Sequence, residues 1–182
     1  MRNGIITLFL LVLSVTAQGQ NLASFGSMEK LTALYTDFFS VFNEPEWTQY
    51  ALSDVDEDGT FELFLADGQD HIAVFALNGG DVQLACGADD KLFLSFYQHC
   101  LCYSGHAGAV GFLAGYTLLE NSRIKWRVTD LSEWDYALDD FGESTYHVLE
   151  GDVTVEQVPA LIKQLGEPID GNLEWKDFLI HR

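Results

Sequence analysis

The chain has 182 residues, of which 48% are hydrophobic and 13% aromatic, and its formal net charge is −19. A single domain accounts for this length, and the apolar content is sufficient for a proper core. With only 9 Lys and Arg residues, the surface repels nucleic-acid phosphates and anionic membranes, so we expect no nucleic-acid binding. Such a surface favours solubility and attracts cations.

The N-terminus has the pattern of a secretory signal. Arg2 forms a short basic region, Ile5 to Val15 is an apolar run, and Val15-Thr16-Ala17 fits the small-x-small rule for cleavage. We predict a signal peptide over residues 1–17 and a single calcium-binding α+β domain over residues 18–182. The apolar run is too short to span a bilayer. The sequence therefore predicts a secreted or periplasmic protein with no membrane span after cleavage.

Two amphipathic helices are predicted, one near each end of the mature chain. Over Ser27 to Phe42, apolar residues recur at steps of three and four, and Ser27 is a suitable N-cap. Over Thr154 to Leu165, a similar stripe follows a capping-box pattern. Pro159 is tolerated only near the first turn of that helix, so we expect the helix to begin close to it.

The region between the helices has the pattern of strands and turns. Asn78-Gly79-Gly80 and Asn121-Ser122 are hairpin signals, and a succession of hairpins predicts antiparallel pairing. The predicted strands are Gln49–Ser53, Phe61–Ala66, His71–Leu77, Asp81–Ala85, Leu92–Tyr103, Tyr116–Glu120, Ile124–Thr129 and Tyr146–Glu150. The expected fold is therefore α+β, with one antiparallel β-meander sheet flanked by an N-terminal and a C-terminal helix.

The segment from Asp54 to Leu63 contains carboxylates at alternate positions, then a glycine, then a further carboxylate. Ca²⁺ takes six to eight oxygen ligands at about 2.3–2.6 Å, so a short loop must turn several oxygens inward. Three aspartates would supply side-chain oxygens, Gly59 would allow the sharp turn, and a backbone carbonyl and a glutamate would complete the shell. The predicted calcium ligands are Asp54, Asp56, Asp58, the Thr60 carbonyl and Glu62.

This loop is not an EF-hand, because the twelfth residue counted from Asp54 is Leu65 and the flanks are strands rather than helices. The segment Tyr50–Leu63 resembles the D-x-D-G-x-x-E-L segment of FG-GAP/VCBS-type repeats, and the single loop of small exported bacterial proteins. The resemblance implies a local calcium loop. Two departures are Glu57, where a small residue is usual, and Glu62 in place of Asp. A propeller is not expected, because the chain is short and has no blade repeat.

Other clusters of residues give weaker indications of a functional site. Cys86, Cys100 and Cys102 could include a disulfide or remain buried thiols. A tetrahedral zinc site could use two His and two Cys, namely His99, His106, Cys100 and Cys102, but their spacing is unlike that of structural zinc sites. Ser104 and His106 lack the G-x-S-x-G elbow of a hydrolase. An acidic run, typical of a solvated loop, surrounds three aromatic residues; its members are Asp130, Glu133, Trp134, Asp135, Tyr136, Asp139, Asp140, Phe141 and Glu143.

The leading functional hypothesis is an exported calcium-binding, non-catalytic binding or accessory module, whose partner beyond the ion would be an extracellular protein or glycan. One alternative is an extracellular hydrolase of glycan or peptide substrates. Another is a secreted inhibitor or interaction protein that uses the loop around Trp134. The competing interpretation of the aspartate segment is a solvated acidic turn with no tightly bound ion.

Overall fold

A computed structural model describes residues 22–39, 45–68, 71–88, 92–107, 111–135, 137, 139–169, 171 and 173–178. The predicted signal peptide lies outside the described residues, as do Tyr136 and the predicted first helix beyond residue 39. Within the described ranges, no helix is both long enough and apolar enough to cross a membrane.

The described residues form two α-helices, two short 3-10 helices and eleven strands. The 3-10 helices span Leu22–Phe25 and Val155–Gln157. The α-helices and strands, in chain order, are α1 (Met28–Phe39), β1 (Gln49–Ser53), β2 (Glu62–Ala66), β3 (Ile72–Asn78), β4 (Asp81–Ala88), β5 (Leu92–Tyr97), β6 (Cys100–Ala107), β7 (Gly111–Glu120), β8 (Arg123–Asp135), β9 (Asp140–Phe141), β10 (Thr145–Gly151), α2 (Val158–Gln164) and β11 (Lys176–Asp177).

The strands are arranged in two antiparallel sheets rather than one. The first sheet has the order β11-β1-β2-β3-β4, and the second has the order β10-β8-β7-β6-β5, with β9 paired to the end of β8. The predicted α+β fold, a single meander sheet flanked by an N-terminal and a C-terminal helix, is therefore wrong, since the protein is mostly β and its helices are short. The hairpin signals specify local antiparallel pairing, but they carry no information on where one sheet ends and another begins.

Burial of both faces of the strands explains why two sheets form. All five residues of β2 are buried. Because successive side chains of a strand point to opposite faces, Leu63 and Leu65 pack with α1, while Phe64 packs in a second core with Leu101 and Tyr103 from the other sheet. A third core lies where Trp126 and Val128 of the second sheet meet α2. The cores therefore separate four layers, helix, sheet, sheet and helix.

A C-terminal strap, residues 169–178 apart from residues 170 and 172, joins the edges of the two sheets. Ile169 bridges Phe96 at the edge of the second sheet. Leu173 packs against the core between the sheets. β11 then pairs with β1 of the first sheet, and the Phe178 N–H donates to the carbonyl of Thr48 at 2.8 Å. The strap therefore closes the side of the molecule on which β1 begins.

Candidate metal centre

The loop between β1 and β2 brings three aspartates together. One carboxylate oxygen from each of Asp54, Asp56 and Asp58 lies within 4.8 Å of the other two. Oxygens at this separation can share one coordination sphere with a radius of about 2.4 Å, which is within the range for calcium. The structure therefore confirms that these three aspartates form a group that could hold a metal ion. Glu62 and the Thr60 carbonyl are not members of that group, so their role as ligands stays a prediction.

The backbone of the loop is shaped by two residues in the left-handed region, Glu57 at a φ of 58° and Gly59 at a φ of 88°. Carboxylates of the loop then accept its own backbone N–H groups. Asp54 accepts from Asp58 at 3.1 Å and from Gly59 at 2.9 Å, and Asp58 accepts from Thr60 at 2.6 Å. Asp side chains commonly stabilise turns in this way. These hydrogen bonds within the loop therefore stabilise its backbone conformation without an ion.

Two acidic residues at the loop are buried, Asp56 of this group and Glu62, which are only 7% and 0% exposed. One oxygen of each carboxylate has a partner: Asp56 Oδ2 accepts from the Ser122 N–H, and Glu62 Oε2 accepts from the Val55 N–H, both at 2.8 Å. The other oxygens, Asp56 Oδ1 and Glu62 Oε1, are buried and have no hydrogen-bond partner among the described residues. A buried carboxylate oxygen without a partner is costly, and a bound cation would remove that cost.

The carboxyl groups of Asp56 and Glu62 both have raised pKa values. Burial raises the pKa of Glu62 to about 8, opposed by the hydrogen bond from Val55 and reinforced by repulsion from Asp56, Asp58 and Asp54. Burial likewise raises the pKa of Asp56, with a smaller contribution from the neighbouring aspartates. Without a cation, Glu62 is therefore largely protonated at neutral pH. A cation would favour its ionised form because opposite charge lowers a carboxyl pKa.

The donor set fits a hard cation. Every candidate ligand is an oxygen, and carboxylates with a backbone carbonyl are typical of Ca²⁺ sites, whereas zinc prefers nitrogen and sulfur. Mg²⁺ demands near-ideal octahedral geometry and usually retains several waters. The residues present thus fit a hard cation that binds oxygen ligands, of which Ca²⁺ is one.

Two residues of the second sheet hold the loop, and sequence reasoning missed both as parts of the site. Ser122, in the turn between β7 and β8, donates to Asp56 and, through its hydroxyl, to Asp58 Oδ2 at 3.0 Å. His99, in the turn between β5 and β6, places Nδ1 at 2.8 Å from the carbonyl oxygen of Asp56. The Asn121-Ser122 turn is recognisable as a hairpin, but its approach to the loop depends on the packing of the two sheets.

The zinc cluster and the Ser104–His106 pair gain no support from the geometry. Among the described residues, the three aspartates are the only group of at least three His, Cys, Asp or Glu residues close enough to hold a metal. Cys86, Cys100 and Cys102 are buried free thiols, which is one of the two possibilities left open by the sequence. No hydrogen bond links Ser104 with His106 in the described part of β6.

The acidic and aromatic run forms a separate cavity of about 560 Å³ at the end of the second sheet. Glu133, Asp135 and Glu143 line this cavity together with Trp134. The Trp134 ring packs edge-on against Phe141 at 5.2 Å between centroids, and Phe141 remains 39% exposed. Asp139 and Asp140 are exposed, and Asp130 is half-buried. The run thus surrounds part of an acidic recess and lies apart from the aspartate loop.

Comparisons with known proteins found no matching family model, no matching curated protein and no matching solved structure. The resemblance to FG-GAP/VCBS-type loops therefore depends on the residues of the loop alone. The class defined by fold and site is a mostly β protein with two sheets and a candidate metal centre in the loop that connects β1 to β2.

Proposed function

We propose that the chain is an exported, non-catalytic, calcium-binding module in which the ion is bound by the acidic loop between β1 and β2. The observation that carries the proposal is the pair of buried oxygens, Asp56 Oδ1 and Glu62 Oε1, that have no partner among the described residues. Calcium would supply both with a positive partner. The resemblance of Tyr50–Leu63 to FG-GAP/VCBS-type loops supports the same ion, and the apolar N-terminal run supports export.

The expected role of the ion is structural. Extracellular calcium modules commonly bind with dissociation constants near 10⁻⁴–10⁻³ M. At about 1 mM Ca²⁺ and a dissociation constant of about 0.1 mM, mass action adds about 1.4 kcal/mol to the free energy of unfolding. For a chain of this length, that corresponds to a rise in melting temperature of about 3–6 °C. A module stabilised in this way would serve as a binding or accessory domain for an extracellular protein or glycan.

Melting curves in EDTA and in 1 mM Ca²⁺, with elemental analysis of the purified protein, test this proposal. The double variant Asp56→Asn with Asp58→Asn keeps the size of both side chains and removes two charges from the loop. The matched control, Asp81→Asn with Asp152→Asn, removes two charges from exposed positions outside it. We expect Ca²⁺ to raise the melting temperature of the wild type and the control but not that of the loop variant. Equal calcium shifts in all three proteins would refute the site.

A further inference from the structure

Ser122 contacts two candidate metal ligands at once from the opposite sheet. Its N–H donates to Asp56 Oδ2 at 2.8 Å and its hydroxyl donates to Asp58 Oδ2 at 3.0 Å. Ser122 is only 3% exposed and has a φ of 55°. This left-handed conformation at the β7–β8 turn presents both the backbone and the side chain of one residue to the loop.

His99 holds the same loop by its backbone. Because the carbonyl oxygen of Asp56 can only accept, Nδ1 of His99 must carry the hydrogen in this 2.8 Å contact. His99 also has a left-handed backbone, with a φ of 59°. Asp56 is thus fixed through its carbonyl by one turn of the second sheet and through its carboxylate by another.

We infer that Ser122 and His99 are positioning residues of the metal centre, and that a bound cation in turn strengthens the docking of the two sheets where these two turns meet the loop. Partners behind the ligands of a metal set the orientation of those ligands, and their loss typically weakens metal binding by about 10–100-fold. Coupling between two equilibria is reciprocal, so contacts that favour the ion are themselves favoured by it. The inference rests on the proposed calcium function.

Calcium titration of Ser122→Ala by calorimetry tests the inference. The substitution removes the hydroxyl and keeps the N–H bond to Asp56. Asn121→Ala is the matched control, since Asn121 has a φ of 54°, is the neighbouring turn residue, and forms no side-chain hydrogen bond with the described loop. We expect the calcium dissociation constant to rise by about tenfold or more in Ser122→Ala and to stay within about twofold of the wild type in Asn121→Ala.

Hydrogen exchange of the wild type provides a second measurement that does not depend on a folded variant. Calcium is expected to slow exchange of the amides at residues 99–101 and 118–122, which belong to the second sheet and lie far from the loop in sequence. A purely structural role for Ser122 would produce no such calcium dependence. If the wild type binds calcium but neither Ser122→Ala nor the exchange pattern shows an effect, the coupling is refuted and the proposed function stands. If the wild type binds no calcium, both are refuted.

Discussion

Replacement of Glu62 by Gln separates the cost of the buried charge from its benefit to metal binding. Gln has nearly the same size and retains an oxygen that can accept the Val55 N–H bond, which is 2.8 Å long in the wild type. It cannot ionise. In the metal-free protein it imitates the protonated form of Glu62, whereas in the presence of calcium it lacks the charge that would favour the ion.

The magnitude follows from the raised pKa. Glu62 has a folded-state pKa of about 8 against an ordinary value of 4.5, so the folded protein binds this proton more tightly than the unfolded chain. The resulting stability is fully present below pH 4.5 and is lost as the pH rises through 8. Each pKa unit corresponds to about 1.4 kcal/mol, so the metal-free wild type loses about 3 kcal/mol by pH 7 and at most about 5 kcal/mol above pH 8. The Gln variant has no such loss.

Urea unfolding, followed by the fluorescence of the buried Trp47 and Trp126, measures these differences at pH 5 and pH 8. In EDTA, we expect Glu62→Gln to resemble the wild type near pH 5 and to be more stable by about 3 kcal/mol or more near pH 8. In millimolar calcium at pH 8, we expect the wild type to gain stability and the variant to gain little. Removal of one carboxylate therefore stabilises the apo protein and abolishes its response to calcium.

The matched control is Glu57→Gln, the same substitution at an exposed position of the same loop. It is expected to show no comparable change in stability between the two pH values. The free energies of unfolding of the wild type and Glu62→Gln in EDTA are compared at the two pH values. If their difference is the same at pH 5 and pH 8, burial does not raise the pKa of Glu62. If calcium stabilises Glu62→Gln as much as the wild type, Glu62 does not belong to the metal centre.

Two further predictions concern the fold. A Cβ on Gly115 would overlap the ring of Tyr103. We therefore expect Gly115→Ala to lower the free energy of unfolding by about 1–3 kcal/mol in urea titrations. An unchanged midpoint of unfolding would contradict the position of the Tyr103 ring over Gly115. Burial raises the pKa of the thiols of Cys86, Cys100 and Cys102, and only the thiolate reacts readily. In mass spectra after alkylation at pH 8, all three should remain unmodified in the native protein and react in urea, and rapid native labelling of any one would place it at the surface.

The aspartate group was predictable because its geometry is encoded locally. Asp54, Asp56 and Asp58 lie within five consecutive positions, and Gly59 provides the left-handed backbone that the coil requires. The hairpin at Gly79-Gly80 is likewise local, and it forms as predicted between β3 and β4. Such features depend on neighbours in sequence, so composition and spacing suffice to predict them.

The parts that sequence reasoning missed depend on distant residues. The predicted strand Leu92–Tyr103 is two strands, because the chain turns at His99 without a Gly, Pro or Asn to mark the turn. The division into two sheets depends on how fully buried strands such as Glu62–Ala66 are covered on both faces. The contacts of Ser122 with the loop join residues more than sixty positions apart, and they exist only once the sheets have packed.

The C-terminal strap has a consequence for biogenesis. Gln49 and Asp177, which are paired in the closed edge, are separated by 128 positions. Long-range pairing of this kind slows folding, because the entropy of closing the loop is lost before the stabilising contacts form. In a nascent chain, the outer side of β1 is an uncovered row of backbone donors and acceptors. Until the strap arrives, that side of β1 is where unwanted pairing between molecules would begin.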